Sequence, residues 1–157
     1  MHGWDEREAA HVRRAVFDGA LRDEPSPHVY VENVFSPETY AAMVRMFPTG
    51  PPALRRWDNP GEPGMRFGNY HCRHEIHIPG EADRLPPEQR AFWLGAAGFL
   101  HGPDFARTLL DRFAPYARAR FGEALDDPSF IAERLRGTMI LNQHDPEYYL
   151  GPHTDRS

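Results

Sequence analysis

His153 and Asp155 are the residues whose types and spacing bear most directly on chemistry. In an extended segment, side chains two apart leave the same face, with Cα atoms roughly 6.5 Å apart. An imidazole and a carboxylate can then share one ion at about 2.0–2.2 Å each. On a helix the same spacing turns them away from each other. Tyr148-Tyr149-Leu150 and the β-compatible Thr154 favour an extended backbone, and Pro152 suits the edge or mouth of a sheet. A third ligand would complete a facial set with open positions, a geometry that suits iron(II). H-x-D is short, however, and also occurs in proteins that hold no metal.

A second cluster is His71-Cys72-Arg73-His74-Glu75-Ile76-His77. On a strand, His71, Arg73, Glu75 and His77 share one face, while Cys72 and His74 take the other. The candidate ligands are therefore divided, and a structural zinc site commonly needs four, several of them cysteines. The preferred reading is a polar strand face over the mouth of a site. Metal binding by this cluster is the weaker alternative. Cys72 between histidines also admits a nucleophile, but no third group orients it, and a small buried hydrophobe fits as well. Trp57-Asp58-Asn59-Pro60-Gly61 lies in a proline- and glycine-rich stretch and reads either as a substrate lid or as a surface loop.

Composition bounds the function. The chain has 157 residues, 40% hydrophobic and 26% charged, which predicts one soluble domain with a real core. Net charge is −5, against nucleic acid as the main partner. All 18 basic residues are arginines, so no lysine nucleophile or Schiff base is available. One cysteine leaves no internal disulfide. No apolar run approaches the roughly 20 residues of a membrane span. The N-terminus lacks the basic start and apolar stretch of a signal peptide, and the expected compartment is the cytoplasm.

The elements that must position these residues follow from periodicity. Ala9, Val12, Val16, Phe17 and Leu21 predict an amphipathic helix over 5–22. Val29-Tyr30-Val31 predicts a short strand. Ser36, as an N-cap before Pro37, predicts a helix to about Phe47. Residues 48–64 read as a long loop and 65–78 as extended. Helices are expected over 88–100, with Phe92, Trp93 and Phe99 as packing residues, and over 105–121. In the latter, Phe105, Leu109, Leu110, Phe113 and Tyr116 form the core face. Two strands, 130–141 and 148–155, flank an Asp145-Pro146 turn. Helices first and strands last predict an α+β fold.

At this point a resemblance enters. Leu141-Asn142-Gln143-His144-Asp145-Pro146-Glu147-Tyr148-Tyr149-Leu150-Gly151-Pro152-His153-Thr154-Asp155 resembles the first metal-binding strand of the 2-oxoglutarate/iron(II)-dependent oxygenases, prolyl-hydroxylase-like members in particular. His28 to Glu38 resembles the opening strand and first helix of many bacterial members. The resemblance covers about residues 28–47 and 130–155. It implies N-terminal helices packed outside a double-stranded β-helix of jelly-roll or cupin type. It implies Fe(II) held by His153, Asp155 and a distal histidine, with 2-oxoglutarate as cosubstrate and a small molecule or amino-acid side chain as the substrate hydroxylated. It places Asn142 and His144 as candidate cosubstrate contacts, with His144 where many members have tyrosine. Asn142 as a backbone cap and His144 as a plain turn residue are the alternatives. Arg66 or Arg73 would meet substrate.

The family's distal histidine and its cosubstrate-anchoring cation have no counterpart after Asp155. Arg156 adjoins the ligand and would face away on a strand. The expectation is a single, incomplete oxygenase domain over 1–157 with little turnover of its own. The alternative is a non-catalytic oxygenase-like binding or scaffold protein, its open sheet covered in a homodimer.

Overall fold

The computed structural model describes residues 4–57, 73–127, 129–130, 137–144 and 146. Asp5 opens helix α1 (Glu6–Asp18) by accepting the Glu8 N–H on its carboxylate at 2.9 Å. The helix stops at Gly19, short of the expected residue 22. A Cβ at Gly19 would lie 2.5 Å from Val29 Cγ1, so only glycine lets the next hairpin cross this close. Leu21, expected on the helix, instead begins β1 (Leu21–Arg22), which pairs antiparallel with β2 (His28–Val29). Helix α2 (Pro37–Arg45) begins as its sequence predicts: Ser36 Oγ accepts the Thr39 N–H at 3.2 Å, with Pro37 in the first turn. Buried Glu8 accepts the Ser36 N–H at 3.1 Å and ties α1 to that start.

The second sheet has the order β3-β4-β5, all antiparallel. Its strands are β3 (Arg55–Trp57), β4 (Arg73–Ile78) and β5 (Met139–His144). β3 falls in the stretch expected to be loop. β5 starts later than the expected 130–141 strand and runs through His144, which is a strand residue paired with Arg73 rather than a turn residue. Two of the three strands precede the last helices, so the sheet is interleaved with the helices, contrary to the expected helices-then-strands order.

Between them, α3 (Pro87–Leu100) follows a 3-10 turn, Ala82–Arg84. The single helix expected over 105–121 is two, α4 (Pro103–Arg112) and α5 (Ala114–Phe121), broken at Phe113 ahead of Pro115. Neither buries a residue fully, and Leu109, expected in a core face, is 38% exposed. The core is built instead from α2, α3 and one face of the sheet: Ala42, Met46, Phe92, Trp93, Ala96, Ile76, Ile78 and Leu141. Phe92 and Trp93 are core residues as expected, and Trp93 Nε1 donates to the Met46 carbonyl at 2.7 Å, joining α3 to the end of α2. Trp4 stacks on Phe99 and meets Phe35 edge-on. The described residues are thus α+β. Their strands form two small antiparallel sheets and do not close into a β-helix.

Candidate functional site

Strand alternation sorts β4 into two faces. Ile76 and Ile78, with Leu141 of β5, turn toward the helices and are buried. Arg73, Glu75 and His77 turn the other way, as their spacing predicts. Across the ladder, Glu75 lies between Arg55 and Asn142, Arg73 between Trp57 and His144, and His77 beside Ile140. Partners directly opposite share a face, so Arg55, Asn142 and His144 join that polar face. His74 sits on the face of Ile76 and Ile78, opposite Gln143. The division of the 71–77 cluster between faces thus holds for its described members.

Glu75 is the centre of this face and is only 4% exposed. His77 Nε2 donates to its Oε1 at 3.0 Å. Arg73 Nε lies 2.8 Å from its Oε2, while the single Nε–H is directed at Asn142 Oδ1, 3.1 Å away. The contact with Glu75 is therefore an ion pair rather than a hydrogen bond, and Oε2 receives no hydrogen bond. Asn142 serves as a cross-strand acceptor for arginine, not as a backbone cap. At the far end of β4, Glu81 accepts the backbone N–H of His77 at 3.0 Å. That hydrogen bond, with the charges of Arg55 and Arg84, holds the Glu81 carboxyl below its usual range against the opposing effect of burial.

The three strands share one end. Trp57, Arg73 and His144 form its last cross-strand row. From this row the chain leaves β3 for residues 58–72, re-enters as β4, and leaves β5 for residues 145–157. His153 and Asp155 lie outside the described residues, as do His71, Cys72, Arg66 and residues 58–61 of the candidate lid. Of the expected site residues, the structure therefore brings together Arg73, Asn142 and His144, with Glu75 and His77. Sequence reasoning missed Arg55, because its strand was read as loop, and missed the burial of Glu75. An acid placed two residues from both an arginine and a histidine was the available signal.

Among the described residues, no three His, Cys, Asp or Glu side chains converge as a metal-binding group. No described helix is long and apolar enough to cross a membrane. Comparison with protein-family models, curated proteins and solved structures finds no match to the chain.

Proposed function

We propose that this chain carries the first metal-binding segment of an iron(II)- and 2-oxoglutarate-dependent oxygenase, with His153 and Asp155 as metal ligands. One observation carries the reading. Among the described residues, α2 and α3 pack on the apolar face of β3-β4-β5, and the segment bearing H-x-D follows β5 at one end of that sheet. A fold that packs helices outside a β-helix builds its site on the opposite, inner face. Here that face holds Arg73, Glu75, His77, Asn142 and His144.

The donor chemistry fits the metal. A neutral imidazole and a carboxylate suit iron(II) and leave positions for a cosubstrate and dioxygen. The described residues add polar groups but no further ligand set. When bound, the iron and cosubstrate would supply the oxidising power for hydroxylating a C–H bond. The protein's own part is to hold the ligands and orient the molecules that bind beside them. Asn142 and His144, at the end of β5 nearest the ligand segment, are the residues assigned to meet 2-oxoglutarate.

Cobalt(II), a spectroscopic stand-in for iron(II), tests the ligands. Its visible absorption should saturate on titration into the chain. His153→Ala and Asp155→Ala should each weaken binding by about tenfold or more. A cobalt spectrum and affinity unchanged in both variants would overturn the assignment.

A further inference from the structure

We propose that the apolar groove between α2, α3 and β5 binds one small, uncharged hydrophobic molecule. The groove opens on the helical side of the β3-β4-β5 sheet. Binding there goes beyond the oxygenase reading, which can fail without affecting it.

The groove is concave and reaches the core. Its floor is Trp93, Ala96 and Leu141, which are 3%, 0% and 7% exposed. Its rim includes Tyr40 and Val44, each 62% exposed and one turn apart on α2. Its volume is about 580 Å³, within the roughly 300–1,000 Å³ of small-molecule sites.

Helix α2 carries more apolar surface than its anchoring to the core requires. Ala42, with Met46 at the helix end, packs into the core cluster. Tyr40, Met43, Val44 and Phe47 form a second stripe along the groove, at i, i+3, i+4 and i+7. Among the described residues five large hydrophobics are exposed, and two of them, Tyr40 and Val44, meet here. Apolar residues scattered singly over a surface are ordinary, whereas a contiguous set around a concavity marks a binding site.

Charge and size select the occupant. No charged side chain is among the described residues that line the groove, in a chain with 26% charged residues. A charged ligand would shed its hydration here without a counter-charge, which favours a neutral one. Trp93 Nε1 is already spent on the Met46 carbonyl at 2.7 Å, so the floor presents hydrocarbon. The hydroxyl-bearing Tyr40 and Thr49 are both exposed. The ligand class is therefore a hydrocarbon chain or aromatic ring with at most one polar end, directed outward. Flexible Met43 and Met139 let the walls adapt to either shape. A groove of this volume seats one small molecule, whereas a stable protein partner needs about 800 Å² from each side.

N-phenylnaphthylamine, an uncharged dye that brightens in apolar surroundings, reads the site in the full chain without metal. Its fluorescence should saturate at one dye per chain. Decanol should displace it at concentrations about tenfold below those of decanoate, which has the same chain and a charged end. Val44→Glu and Thr49→Trp change exposed positions, so the fold tolerates them. The first puts a charge on the rim and the second a ring over the floor. Each should weaken dye binding by about tenfold. Tyr30→Ala removes an exposed ring outside the groove and should leave the affinity unchanged.

Fluorescence that never saturates, decanoate competing as well as decanol, or both rim variants binding like wild type would each overturn the proposal. So would an equal loss of affinity in Tyr30→Ala. A dimer in light scattering that Val44→Glu dissociates would give the groove to a second copy of the chain and overturn it as well.

Discussion

At the scale of single residues, carboxylates with different surroundings do different work. Glu75 is buried against an arginine and a histidine, whereas Glu81 is held down chiefly by a backbone N–H. The consequence for Glu81 is a pH dependence of known sign. Its folded pKa lies below the usual carboxylate range. A depressed carboxylate stabilises the fold above its unfolded pKa and loses that contribution as pH falls through the folded one. Glu81→Gln should therefore lower stability at neutral pH and flatten the acid limb below about pH 4.5. Urea melts across that range would show it; an acid limb identical to wild type would remove Glu81 from the account. The polarity of Arg73, Glu75 and His77 was legible in sequence because alternation on a strand is a strict rule. The burial of Glu75 was not, since it depends on neighbours brought in by β3 and β5.

At the scale of elements, legibility followed the strength of local signals. Ser36-Pro37 marked the start of α2 because capping is a contact between near neighbours, and α3 followed from its apolar spacing. Ser36→Ala should cost about 1 kcal/mol, read as a shift in denaturant midpoint at constant slope. An unshifted midpoint would mean that Glu8, which holds the Ser36 N–H, suffices for the cap. β3 was illegible because Arg55-Arg56-Trp57 has no apolar alternation and is a strand only through its pairing with β4. Leu21 belonged by period to α1 but pairs with Val29, since Gly19 lets the hairpin approach. Pro115 divided the expected long helix although the apolar stripe continues on either side of it, because proline has no N–H to continue the helical ladder. The segment 148–155, on which the metal assignment depends, lies outside the described residues, so its extended form stays an expectation from sequence.

At the scale of the whole molecule, the apolar core and a row of polar side chains lie on opposite faces of one sheet. Ile76 is fully buried at 0% exposure, among side chains from α2 and α3. Ile76→Ala should cost about 2–5 kcal/mol, a large part of the roughly 5–15 kcal/mol that holds a domain folded. A thermal midpoint close to wild type would contradict this placement of the core. Substitution of Arg55, one strand over and on the other face, should stay within about 0.5 kcal/mol.

The sheet is also unequal end to end. Ile78 pairs with Met139 at one end, where Ile78 is 2% exposed, while Trp57, Arg73 and His144 close the other. Both segments expected to carry recognition chemistry, 58–72 and 145–157, join the described sheet through that second row. For anyone wishing to retrain the protein on new molecules, this separates risk from reward. The row that borders those segments can be rewritten, while the apolar end and its helices serve as an unchanged chassis.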